Sequence, residues 1–276
     1  MIQLGEFNEL KALRQTDNGW YLIDEEANEV LLPNKYVPED FKEDTPLKVF
    51  VYKDSEDRIV ATTETPLIRV NEFAFLEVKQ VNNFGAFLNW GLEKDLMVPY
   101  SEQQYRMTEG ESYVVRLVHD TVTDRLYASS KWNKYLVEDH LTVEEGEEVD
   151  AIITEETDLG FKAIIEDAHL GLLYKNECFR TLEPGDRLKL FIKKIREDGK
   201  IDLSLQAAGY AHVEPSAQKI LDILKQNDGF LGLHDKSHPV AIAETLEMSK
   251  KTFKKAIGAL YKEKLILLEE NGIRLK

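Results

Sequence analysis

The feature that most constrains this chain is a repeat. Three segments, "DNGWYLIDEEANEVLLP", "NNFGAFLNWGLEKDLMVP" and "DLGFKAIIEDAHLGLLY", share one layout. Each has a glycine, an apolar strand, a polar stretch, and an apolar pair running into a turn. From Gly19 to Pro33, from Gly85 to Pro99 and from Gly160 to Tyr174 the spacing is 14 residues every time. From the same glycines to Arg58, Arg125 and Lys200 it is 39, 40 and 40 residues. Those basic residues open three matching segments, "RIVATTE", "RLYASSK" and "KIDLSLQ". Coincident spacings of this kind mean one structural unit used three times.

Each unit reads as five short strands. One precedes the glycine ("EFNELKALRQ", "FAFLEVKQV", "EEVDAIITEE"), one follows it, and a short third leads into the turn. A fourth comes after a polar segment ("TPLKVFVYK", "ESYVVRLVH", "DRLKLFIKKI") and a fifth ends the unit. Alternating strands at regular spacing, separated by Gly, Pro and Asp turns, predict small five-stranded barrels of the OB-fold type. From Glu214 the period changes. "EPSAQKILDILKQNDG" spaces Ile220, Leu221, Ile223 and Leu224 as a helix does, and Pro239 opens a second helix. Ser249 caps a third, whose apolar face is Phe253, Ala256, Ile257 and Leu260. Two strands around Asn271-Gly272 follow as a hairpin. Helix, helix, basic helix and hairpin make a winged helix. The expected fold is mainly β with an α+β C-terminal domain: barrels over 1–66, 67–138 and 139–212, then a winged helix over 213–276.

"FGAFLNWGLEKDLMVPYSE…GESYVVRLVHDTVTDRLYASSK" resembles an S1 RNA-binding domain over about 45 residues of the second repeat. The family pattern runs Phe-Gly-Ala-Phe, then Gly-Leu-Val-His-x-Ser-Glu, then a basic residue opening the last strand. The first and third repeats match more loosely, by register. Three S1-like barrels and a winged helix together resemble the bacterial conserved virulence factor B family of RNA-binding regulators, over essentially the whole chain.

Composition narrows the function classes. A net charge of −16 opposes indiscriminate binding to a polyanion. The charge is uneven: −8 over residues 1–66, −3 over 67–140, −7 over 141–213 and +2 over 214–276. One cysteine, Cys178, excludes a disulfide framework and a cysteine-rich metal site. No apolar run reaches membrane-spanning length, and the N-terminus carries no export signal, so a cytoplasmic protein is expected. Phosphate-loop, nucleophile-elbow and zinc-protease motifs are absent, so no enzyme and no cofactor are expected. His234 and His238 stand four apart, but Pro239 reads as the end of a loop rather than as part of a metal pair.

In a regular strand Phe84 and Phe87 would face opposite ways, while a bulge at Gly85 would bring both rings to one side. The S1 resemblance implies that both lie on the nucleic-acid face with Arg125. Trp90 is expected to pack at the barrel end. The third repeat adds Phe161, Lys162, Tyr174, Lys193, Lys194, Arg196 and Lys200, and the winged helix adds Lys250, Lys251, Lys254 and Lys255. Trp20, Tyr21, Asp54, Arg58 and Asp120 form a secondary set. Where the family pattern has histidine, this chain has Pro33, Pro99 and Tyr174. The expected function is non-enzymatic binding of single-stranded RNA by stacking and phosphate contacts, in a regulator of gene expression. The positive charge places most of the affinity in the C-terminal half, where Arg180 belongs to the basic stretch. The alternatives are a DNA-binding regulator acting through the winged helix, and an adaptor for a ribosomal or RNA-processing protein.

Overall fold

Strands β1 (Phe7–Thr16), β2 (Gly19–Ile23), β3 (Glu29–Pro33), β4 (Leu47–Lys53) and β5 (Ile59–Thr62) close into a barrel in the order β1-β2-β3-β5-β4. The closing pair, β3 with β5, is parallel. The computed structural model describes residues 1–42, 45–137, 140–178, 181–206, 215–227 and 229–276. Strands β6 (Phe73–Val81), β7 (Gly85–Leu88), β8 (Leu96–Pro99), β9 (Ser112–Asp120) and β10 (Arg125–Ser129) keep the same neighbours, in the order β10-β9-β6-β7-β8. Here β8 and β10 lie side by side without a ladder, so the sheet stays open at that seam. Strands β11 (Glu148–Glu156), β12 (Gly160–Ile165), β13 (His169–Tyr174), β14 (Arg187–Ile195) and β15 (Ile201–Ser204) close like the first set.

The 14-residue spacing has a direct physical meaning. Gly19, Gly85 and Gly160 sit opposite Pro33, Pro99 and Tyr174 in the second-to-third strand hairpin of each unit. A Cβ on these glycines would lie 2.1, 2.2 and 2.1 Å from the carbonyl oxygens of Leu32, Val98 and Leu173. No side chain survives that approach, so each repeat needs glycine there.

The bulge expected at Gly85 lies instead on the neighbouring strand. Register shifts by one residue between Ala12 and Arg14, between Val78 and Gln80, and between Ile153 and Glu155. The extra residues are Leu13, Lys79 and Thr154, each six before its glycine. Strand alternation then sets which side chains face in. The residue after each glycine (Trp20, Ala86, Phe161) points inward, and the next one (Tyr21, Phe87, Lys162) points outward.

Strand β4 is buried on both faces. Val49 and Val51 fill the first barrel's own core. Phe50 and Tyr52 enter a second core with Ile68, Leu76, Leu88, Trp90 and Val98 of the second barrel. The Trp90 ring meets Phe50 and Tyr52 edge-on at 5.9 and 6.1 Å. Each such pair adds about 0.5–1.5 kcal/mol beyond area burial.

The C-terminal domain consists of α1 (Pro215–Gln226), β16 (Phe230–Leu231), α2 (Pro239–Leu246), α3 (Lys250–Lys262), β17 (Ile266–Glu269) and β18 (Gly272–Leu275), with sheet order β16-β18-β17. Ser249 caps α3 by accepting the Thr252 N–H at 3.1 Å. Phe253, Ala256, Ile257 and Leu260 are buried with Ile220, Leu221 and Leu224. Gly272 is not a turn residue here. It opens β18, where a Cβ would lie 2.4 Å from the Leu231 carbonyl, and the hairpin turns through Glu270 and Asn271. The chain forms two compact units. One holds Met1–Thr142, Val149–Lys189 and Arg196–Asp202; the other holds Val143–Glu148, Leu190–Ile195 and Leu203–Lys276. The expected boundaries after 138 and after 212 fall outside the described residues, as does Arg180.

Two glycine substitutions should separate these roles. Gly85→Ala should cost about 1–3 kcal/mol through its clash with Val98. Gly258→Ala, inside α3 with nothing within 4 Å, should stabilise by up to about 1 kcal/mol. Urea unfolding of each variant measures both. Equal midpoints would refute the close-approach account.

Candidate nucleic-acid interface

Phe84 stands just ahead of β7 and is 72% exposed. Its N–H donates to Asn82 Oδ1 at 2.8 Å, and the Asn82 N–H donates to the Gly85 carbonyl at 3.0 Å. This turn releases Phe84 from strand alternation and holds it outward. Phe87 follows on the outward face of β7, half-buried. Both rings therefore reach the outside, through a turn rather than a bulge at the glycine. Trp90 is buried (3% exposed), and its indole N–H donates to the Lys94 carbonyl at 2.5 Å, so it packs as a core residue.

The outward position next to the bulge differs among the three barrels. In the first, Arg14 lies 4.2 Å over the Tyr21 ring and also pairs with Glu29 at 2.7 Å. In the third, Lys162 pairs with its cross-strand neighbour Glu155. In the second, Phe87 faces Gln80 and Met97. The equivalents of Phe84 are Asn18 and Leu159, the latter 66% exposed but not aromatic. Only the second barrel has aromatic rings at both positions.

Two expected contact residues are corrected by the geometry. Phe161 is 7% exposed and points into the third barrel, so its ring is core and cannot stack on a base. Trp20 occupies the same inward position in the first barrel, half-buried against Phe41 at 5.4 Å between ring centroids. The two-residue alternation counted from the glycine decides both cases.

The basic residues that open the fifth strands are all neutralised. Arg58 donates to Asp54 through both Nε and Nη2, at 2.9 and 2.6 Å. Asp120 does not pair with Arg125. It shapes its own turn, accepting from the Thr123 hydroxyl at 2.7 Å and the Val122 N–H at 2.9 Å, which hold its carboxyl below the usual range. Arg125 reaches instead to Asp57 of the first barrel at 2.7 Å. A hydrogen bond from Lys94 and the Arg125 charge hold the Asp57 carboxyl below the usual carboxylate range. In the third barrel, Arg196 bonds Asp202 through Nε and Nη2 at 3.0 and 2.7 Å and also donates to the Tyr174 hydroxyl. These partners raise its pKa further. Lys200 pairs with Asp198 at 2.7 Å.

Lys193 and Lys194 are exposed on β14. On α3, Lys251, Lys254 and Lys255 are exposed and Lys250 is partly so. Lys254 lies 4.0 Å from Asp235. His238 caps α2 by accepting the Val240 N–H at 3.4 Å, and His234 accepts the Lys236 N–H at 3.2 Å. Among the described residues no cluster of three or more His, Cys, Asp or Glu is placed to hold a metal. Nor, among them, is any helix long and apolar enough to cross a membrane.

Phe87 and Arg125 do come together. With Tyr52, Lys53, Trp90 and Met97 they line a groove of about 180 Å³ between the first two barrels. Sequence reasoning missed the residues that the first barrel contributes. A pairing of Asp57 with Arg125 across 68 positions leaves no local pattern.

Five-stranded barrels, the second with an outward aromatic pair, and a winged helix in one chain are the domain set of a multidomain nucleic-acid-binding protein. Comparison with known proteins gives two domain matches and several similar chains. An S1 domain model matches residues 4–64 and a CvfB-like winged helix model matches residues 218–275. The S1 match falls on the first barrel, although the S1 motif is more evident in the second. The YitL protein of Bacillus subtilis is 29% identical over 94% of this chain and 88% of its own length. Conserved virulence factor B of Staphylococcus saprophyticus is 27% identical over 82% of this chain and 78% of its own. A multidomain protein with nucleic acid binding domains from Streptococcus pneumoniae aligns over 99% of this chain and 98% of its own, at 24% identity and a TM-score of 0.46. Over most of its length the chain is thus similar to proteins named conserved virulence factor B, and its C-terminal domain matches the winged helix of that kind.

The Asp57–Arg125 contact yields a prediction. Asp57→Asn should free the guanidinium and tighten binding of a single-stranded oligonucleotide by about threefold at low salt, with the gain fading as salt rises. Fluorescence anisotropy at two salt concentrations reads it. Unchanged affinity at both would show that Arg125 lies off the interface.

Proposed function

We propose that this protein binds single-stranded RNA without catalysis and acts in the cytoplasm as a post-transcriptional regulator. The observation that carries this reading is the second barrel's outward pair, Phe84 and Phe87, whose ring faces no cation or carboxylate claims among the described residues. Every base has a π-face, and stacking is worth about 1–3 kcal/mol per base without regard to sequence. Single strands can splay their bases onto such rings, whereas a duplex keeps them paired. Lysines on β14 and α3 would add phosphate contacts. The third barrel's share of that charge is smaller than its composition implies, because Lys162, Arg196 and Lys200 are held by carboxylates. The domain limits we adopt are 1–66, 67–138, 139–212 and 213–276.

A second reading has its own support: Lys251, Lys254 and Lys255 are exposed together on α3, as a helix meeting duplex DNA would require. Comparing single-stranded RNA, duplex RNA and duplex DNA at two salt concentrations decides between the two. Single-stranded RNA should bind tightest. Replacing Phe84 and Phe87 with Ala should weaken it at least about tenfold while leaving the unfolding midpoint nearly unchanged. A double variant that melts early and binds normally would make the rings structural. Incubated with labelled RNA, the pure protein should leave it intact with or without divalent ions. Cleavage that follows a monodisperse peak through successive columns would establish a nuclease.

A further inference from the structure

The loop between β8 and β9 is built with more care than a connector needs. Gln103 is buried; its Nε2 donates to the Val98 carbonyl at 3.0 Å and its Oε1 accepts the Met107 N–H at 3.2 Å. Met107 is itself in the core, and the Gln104 N–H donates to Ser130 Oγ at 2.8 Å. Between these anchors Tyr105 and Arg106 are exposed, Tyr105 at 72%, as much as Phe84. Fixing a loop costs conformational entropy. Here that order holds an aromatic ring and a guanidinium at the surface.

Arg106 is tied to the Phe84 turn. Its guanidinium stacks 3.9 Å over the Tyr100 ring, and the Tyr100 hydroxyl donates at 2.6 Å to the carbonyl of Asn82, whose side chain holds Phe84. The pairing of Gly85 with Pro99 sets residues 84 and 100 at the same end of the hairpin. Stacking covers one face of the guanidinium and leaves its N–H edge for an anion. Among the described residues no carboxylate pairs with Arg106, whereas Arg58, Arg125 and Lys200 all have one. On its other side Tyr105 lines a groove of about 340 Å³ with Tyr113, Trp132 and Lys162.

We propose that single-stranded RNA leaves Phe84 across Tyr100, sets a backbone phosphate on Arg106 and seats a base in the groove beside Tyr105, on the path toward Lys162. This rests on the single-strand reading above and assigns contacts that the S1 motif does not include.

The test uses the full chain and a fluorescent oligouridine, with oligothymidine alongside, across a salt series. Arg106→Ala should weaken RNA binding about tenfold at low salt and lower the salt slope by about 0.7, the value of one phosphate on a single strand. Arg106→Lys should keep the slope. Tyr105→Ala should lose affinity at every salt concentration with the slope unchanged, since stacking releases no counterions. Equal losses on oligothymidine support a site that reads backbone and base rather than ribose. If the parent protein binds and Arg106→Ala matches it in affinity and slope, this path is wrong and the function stands. If the parent protein binds neither oligonucleotide, both fall.

Discussion

The three barrels depend on one contact, a glycine pressed against a carbonyl across the second hairpin. With about 2 Å between a would-be Cβ and the oxygen of Leu32, Val98 or Leu173, only hydrogen fits. That contact locks the hairpin in register, and a one-residue slip would turn every side chain to the opposite face. The bulge six residues upstream then feeds the first strand past the same point. Together they decide which side chain is core and which meets solvent. Trp20 and Phe161 are therefore structural, although each follows the same glycine that precedes Phe87 by two.

The second constraint is strand β4. A strand buried on both faces, with valines one way and Phe50 and Tyr52 the other, fuses the first barrel to the second through Trp90. The fusion brings acids of the first barrel against bases of the second: Asp57 to Arg125, with Lys53 reaching Asp124 at 2.9 Å in return. The strongly negative first barrel thus pairs with a cation that lines the same groove as Phe87.

Much of this was legible in the sequence because repeats carry their own register. The five-stranded units, the helical face of α3, the Ser249 cap and the packing of Trp90 all follow from spacing and residue type. Other features were not, for distinct physical reasons. Phe161 reads as a contact because it is aromatic near a glycine, yet alternation counted from Gly160 places it inside. Gly272 reads as a turn residue from its Asn-Gly dipeptide, but tertiary approach to Leu231 demands it. The Asx turn at Asn82 was visible as "NNFG", though its consequence for Phe84 was not. Ion pairs between barrels, such as Arg125 with Asp57, leave no trace in a linear pattern, nor does the cross-loop stacking of Arg106 on Tyr100.

These pairings also bear on how an acidic protein could hold a polyanion. Counted by composition, the third barrel looks like the phosphate surface; counted by partner, Lys162, Lys175, Lys189, Arg196 and Lys200 each already face a carboxylate. A phosphate would have to displace those acids, and exposed pairs exchange partners at little gain. Rings suffer no such competition, since a carboxylate neither quenches nor repels a stacking face. If a chain of net charge −16 binds RNA as proposed, the affinity that survives physiological salt would have to rest largely on the aromatics of the second barrel. Such a surface would favour flexible strands with bases to offer and would hold stiff duplexes weakly. On that reading net repulsion would act as a filter rather than an obstacle, turning away polyanions whose bases stay stacked among themselves.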